Sequence, residues 1–270
     1  MKNCIRYSVL FLAIALVAGT ALAQEVSFKD PSGDDKGPGA YVYPTDKVYT
    51  PGSFDLTEFK MKVSGDKADF SASIGGKLED PWGMGGGFAT QMVFIFIDTD
   101  NKEGSGFTKA LPGLNVAFAA ADAWDRCVIL SPQPQGRVAS EVETKAGWAK
   151  AAVVIPTRTR GAGRTISGSV ALKDLGAGDP AKWGYQVVVQ SNEGFPDKAD
   201  LLTRKVNEFE GQHRFGGGND GDCDPHAMDV LAGKGTGDKS EIEEQKKMLA
   251  FECNADGTSK TMATLTMIRK

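Results

Sequence analysis

The stretch Gln91-Met-Val-Phe-Ile-Phe-Ile-Asp98 decides the fold. Every residue from Met92 to Ile97 is apolar, whichever face of a strand it occupies, so the stretch predicts a central strand covered above and below. Working outward, residues 54–63 and 68–74 alternate polar with apolar, and Ala68, Phe70, Ala72 and Ile74 share one side. That period of two marks half-buried strands. Further strands are predicted over 114–119, 127–130, 138–144, 151–155, 165–172 and 185–190, with a last one over 261–268. One helix is predicted, short and polar, over 241–249. Helices of 10–15 residues do not alternate with the strands, which disfavours a parallel βαβ sheet. The expected fold class is all-β: an antiparallel β-sandwich with long loops and one short helix near the C-terminus.

Composition bounds the function. The 270 residues are 41% hydrophobic and 9% aromatic, enough apolar surface for a real core and too much for a disordered chain. A formal charge of −4 lacks the basic stripe a nucleic-acid binder needs. Residues 1–23 have the build of a signal peptide. Lys2 and Arg6 precede an apolar run over 9–18, and Ala21-Leu-Ala23 offers the small-x-small cleavage pattern. The apolar run is too short to span a bilayer. Cleavage after Ala23 would remove Lys2 and Arg6, bringing the charge to −6. Residues 24–270 are then expected to form a single exported module with no membrane span. The sequence says nothing of its oligomeric state.

Cys127, Cys223 and Cys253 remain after such cleavage, an odd number for an oxidising compartment. Cys127 sits in a predicted strand and reads as a small buried apolar residue. Cys223 and Cys253 both lie in loop-rich sequence and are the candidate disulfide pair. A bridge between them would close a loop of about 30 residues, worth roughly 3–4 kcal/mol. The spacing alone leaves that bridge open.

Three acidic groups have the oxygen-donor chemistry that Ca²⁺ takes. They are Asp30, Asp34 and Asp35 in a Gly- and Pro-rich segment; Asp98 and Asp100, alternate residues at the end of the central strand; and Asp220, Asp222 and Asp224 after three successive glycines. The competing reading is that such aspartates cap turns and face solvent. The first and third groups are expected to lie close together. Trp82, in the loop Asp80-Pro-Trp-Gly-Met-Gly-Gly-Gly87, is either a flat platform for a sugar's C–H face or a plug for the end of the sandwich. Tyr41, Tyr43 and Tyr49 are its candidate companions.

The segment Asp30-Pro-Ser-Gly-Asp-Asp-Lys-Gly-Pro-Gly-Ala-Tyr-Val-Tyr-Pro44, followed by Gly52-Ser-Phe-Asp-Leu56, resembles the opening of the C-terminal binding module of glucodextranases, which also occurs in amylopullulanase-like proteins. The resemblance continues through residues 91–98 and Trp183-Gly-Tyr-Gln-Val-Val-Val189. It returns at Arg214-Phe-Gly-Gly-Gly-Asn-Asp220, Asp224-Pro225 and Gln245. It implies a β-sandwich, similar to surface-layer-attachment modules, that binds polysaccharide or cell-envelope glycan without cleaving it.

Two other classes compete. A glycoside hydrolase needs only a suitably spaced carboxylate pair, though no serine-nucleophile elbow or zinc-protease helix occurs. A haem-binding β-sandwich of an exported electron-transfer complex would draw axial ligands from Met84, Met92, His213 and His226.

Overall fold

The structure, a computed structural model, describes residues 24–270. The signal peptide expected over 1–23 lies outside the described residues.

Two five-stranded sheets face each other. The first half of the chain supplies β1 (Glu25–Lys29), β2 (Leu56–Ser64), β3 (Lys67–Ile74), β4 (Gln91–Asp98), β5 (Ala117–Phe118) and β6 (Arg126–Leu130). Helix α1 (Gln135–Lys145) follows, then β7 (Val153–Val154), β8 (Thr159–Ala162), β9 (Thr165–Ala171) and β10 (Gly184–Ser191). After a long irregular stretch come β11 (Asp229–Val230), helix α2 (Glu241–Met248), β12 (Glu252–Cys253), β13 (Ser259–Thr261) and β14 (Thr264–Leu265). The first sheet runs β1-β2-β3-β9-β8, antiparallel throughout. The second runs β11-β10-β4-β6-β7, antiparallel except where β7 joins β6. The all-β sandwich is what the chain forms.

The central strand explains its own composition. Val93, Ile95 and Ile97 of β4 point between the sheets, where they meet Phe59, Phe70, Ala72 and Ile166. Met92, Phe94 and Phe96 point the other way into a second core closed by Leu114, Trp124, Val138 and Val142. Both faces of β4 are buried, so alternation would have placed polar groups in a core. In β3 one face is covered and alternation is kept: Ala68, Phe70, Ala72 and Ile74 are all buried. Cys127 is buried and free, packed in the second core.

Four expected strands differ from what forms. Residues 138–144 are helical: Val138 and Val142 are one helical turn apart and both bury against the outer face of the second sheet. Their spacing of four fits a strand's period of two as well as a helix's 3.6. Of 114–119 only β5 is strand, and 151–155 shortens to β7 behind a 3-10 turn over Gly147–Ala152. The expected strand over 261–268 breaks into the end of β13, β14 and a single bridge from Ile268 to Tyr185.

Candidate functional site

Two features stand out, one open and aromatic, the other buried and acidic. The open one is built on the loop carrying Trp82. Asp80 shapes that loop by accepting the main-chain N–H of Met84 at 2.7 Å and of Gly85 at 2.8 Å. Gly87 then passes so close to the strand opposite that a Cβ there would lie 2.4 Å from the Gly161 carbonyl oxygen. Trp82 is thus held at the rim, 39% exposed, with its ring edge-on to Tyr49 at 6.3 Å. Tyr49 in turn stacks on Phe54 and meets Phe215 edge-on, so a buried aromatic cluster braces the exposed indole.

Across the same cleft, of about 410 Å³, stands Phe195, 93% exposed. Its loop is fixed by a Glu193 oxygen that accepts the Phe195 N–H at 2.9 Å. A bare phenyl ring on a surface loop loses hydration free energy unless something covers it. Polar groups line it too: Arg137 from α1, Glu193 paired with Arg204 at 2.6 Å, and His213. Flat apolar rings beside planar hydrogen-bonding groups suit a ligand that is apolar on its faces and hydroxylated at its edges.

The structure assigns the predicted aromatic residues different roles. Trp82 is partly exposed and lines the cleft. Tyr41 and Tyr49 are 2% and 5% exposed and offer no free face, so neither stacks on a ligand as expected. Tyr43 is half-buried and donates its hydroxyl hydrogen to Asp35. Phe195 was not anticipated; an aromatic residue between Gly194 and Pro196 in a predicted loop is the signal that could have found it.

The acidic feature lies where the β1 edge of one sheet meets the β11 edge of the other. Asp30 follows β1, Asp34 lies in the next turn, and Asp229 opens β11. One carboxylate oxygen from each lies within 4.8 Å of the other two. Their residues are 6%, 5% and 0% exposed. Burial, then the neighbouring Asp34 charge, pushes Asp30 well above the usual carboxylate range. Burial pushes Asp34 up to about 7, with Asp55 and Asp35 adding to the rise. Asp229 rises through burial and the charges of Asp30 and Asp34. Asp55, next in the cluster, is better served: Gly33 N–H and the Ser32 hydroxyl donate to it at 3.1 and 2.8 Å.

The other predicted acids do not converge there. The N- and C-terminal segments do adjoin, since Val42 bridges Gly216 and the Gly37 N–H donates to the Met228 carbonyl. Yet Asp220 faces solvent and accepts the Glu208 N–H, and Asp222 pairs with His226 and Lys205. Asp224 is buried against the Tyr41 hydroxyl. Asp35 is taken by Tyr43. Asp98 and Asp100 gather with Asp125, but Arg269 already lies 2.6 Å from Asp98, and N–H and hydroxyl donors engage the rest. A guanidinium thus already pairs with one acid of that group. Cys223 and Cys253 form a disulfide.

A rigid two-sheet frame with an aromatic cleft at its rim has the build of a binding module. Consistent with that class, the family described as the C-terminal binding module, SLH-like, of glucodextranase matches residues 26–267, and the chain belongs to it. No curated protein matches the chain. Among the described residues, no helix is long and apolar enough to cross a membrane.

Proposed function

We propose that this chain is an exported, non-catalytic module that holds a polysaccharide or cell-envelope glycan in the cleft between Trp82 and Phe195. The observation that carries the reading is that two exposed aromatic rings, 39% and 93% accessible, line one open cleft together with polar side chains. The family's description as a binding module agrees with it. A glycosidase draws on two carboxylates, whereas this cleft is lined by Glu193 alone, neutralised by Arg204. The leader-like residues 1–23 support export, and the Cys223–Cys253 bridge suits an oxidising compartment.

Affinity electrophoresis and pull-down on polysaccharides and isolated envelope, run beside a reducing-sugar assay, test the reading. The protein is expected to be retained, and Trp82→Ala and Phe195→Ala each to weaken retention roughly tenfold or more. Release of reducing sugar would make it an enzyme. Retention that survives both substitutions would move the site elsewhere.

Met84 and His213 line the same cleft, which keeps one alternative concrete, a haem held by those two side chains. Met92 and His226, the other candidates, are buried at 0% and 1% exposure. A Soret band after haem addition, lost in His213→Ala, would favour this second reading.

A further inference from the structure

The acidic cluster at the sheet edges is independent of the glycan cleft and has a chemistry of its own. Both oxygens of Asp30, both of Asp34 and one of Asp229 are buried without a hydrogen-bond donor in ordinary geometry, five oxygens in all. Among the described residues, no Lys, Arg or His lies within 4.0 Å of any of these three carboxylates. Two other buried acids are matched: Asp98 has Arg269, and Glu241 accepts from the N–H groups of Lys234, Thr236 and Gly237. Burying a carboxylate unpaired costs several kcal/mol, and packing three together adds mutual repulsion. Asp229 is fully buried and its unpartnered Oδ1 is free to join the cluster, while its Oδ2 is held by the Leu56 N–H at 2.7 Å.

We propose that Asp30, Asp34 and Asp229 form a calcium site that ties together the meeting edges of the two sheets. The three clustered residues offer only carboxylate oxygen, and no histidine or cysteine takes part, which disfavours zinc and copper. Calcium takes 6–8 oxygens at 2.3–2.6 Å in flexible geometry, so the three clustered carboxylate oxygens supply part of a shell, with the unpaired second oxygens of Asp30 and Asp34, main-chain oxygen or water for the remainder. Magnesium keeps several of its own waters, which a buried cluster gives little room for. The surrounding chain is already fixed: Asp229 is anchored through Leu56, and Gln245 of α2 donates to the Asp34 carbonyl at 2.5 Å. An ion here would therefore bind a preformed cage rather than fold a loop.

The test uses the protein stripped with chelator and titrated with calcium chloride by calorimetry, with melting temperature followed in parallel. One equivalent is expected to bind saturably and to raise the melting temperature by several degrees. Terbium luminescence, displaced by calcium at the same stoichiometry, gives a second readout on the unaltered chain. Asp229→Asn keeps the side chain's shape and an acceptor for Leu56 and is expected to weaken calcium binding roughly tenfold or more. Asp100→Asn, an exposed acid of the Arg269 cluster, is expected to leave it unchanged. Three results would overturn the site: no saturable binding by either readout, equal weakening by the two substitutions, or unaltered binding in Asp229→Asn. Each leaves the glycan reading untouched, because that rests on Trp82 and Phe195.

Discussion

The carboxylate of Asp229 accepts the main-chain N–H of Leu56 at 2.7 Å, joining the edge strand of one sheet to the second strand of the other. Inter-sheet contact in a sandwich is mostly apolar and non-directional, so a buried polar tie of this kind fixes the relative position of the two edges. One residue then meets two demands, the Leu56 hydrogen bond through Oδ2 and the proposed ion through Oδ1.

Those demands can be separated by substitution. Asp229→Leu leaves the Leu56 N–H buried and unpaired and is expected to destabilise the fold by about 1–3 kcal/mol, read by urea unfolding in chelator. Asp229→Asn keeps that bond and removes a like charge, so in chelator it is expected to match or exceed the wild type. In calcium the order should invert, because the wild type gains more from the ion. A common order under both conditions would separate the tie from any metal.

Arg269 makes a second such demand near the chain's end. It lies 2.6 Å from the buried Asp98 and also reaches Asp122 and Asn101. Removing it strands a carboxylate that is 2% exposed. Breaking a buried pair costs about 3–5 kcal/mol, and because a third of the Arg269 side chain is exposed, Arg269→Met is expected to cost about 2–3 kcal/mol. Asp98→Asn should lose less, since the amide oxygen still accepts from the Asn101 N–H. Equal costs would show that the charge matters more than the hydrogen bonds.

The frame was legible wherever burial is one-sided or complete. β3 and β4 announce themselves by alternation and by its absence, because each face answers to one environment. Helix α1 was not, since Val138 and Val142 with Ser140 and Thr144 between and after them imitate a strand. Its first turn follows Pro134, the residue type that suits a helix start, and that was the cue available. Asp30 and Asp34 could be picked out by their glycine-rich setting, whereas Asp229 lies in a plain stretch. It joins Asp30 and Asp34 only when β11 pairs with β10, a long-range event that no local pattern records.

The Cys223–Cys253 bridge joins the acidic loop to β12 across a separation of 30 residues. Constraining a loop of that size in the unfolded chain is worth about 3–4 kcal/mol. The Cys223→Ser/Cys253→Ser double variant is expected to lose that much in urea unfolding. Cys127 supplies an internal check, for it is fully buried and burial pushes its thiol well above its usual value. In protein prepared without residues 1–23, which carry Cys4, a thiol reagent should find no reactive group in the native state and one after denaturation. Three thiols in that denatured, unreduced protein would mean the bridge is absent.

Asp222 gives the fold an acid-sensitive contact. Its carboxyl is held well below the usual range, first by the hydrogen bond from His226 and then by Lys205, which lie 2.9 and 2.8 Å away. A group whose folded value is depressed lends stability that is fully present above its unfolded value, near 3.8 here. That stability is lost as pH falls through the folded value, when the native carboxyl finally takes up its proton. The wild type is therefore expected to melt above Asp222→Asn at about pH 5, with the gap closing towards about pH 2. The matching measurement is a series of melting curves for both proteins in buffers of constant ionic strength, since Asp222 is half exposed and salt weakens its pairs. A gap that stays constant or widens in acid would show that the Asp222 charge does not stabilise the loop.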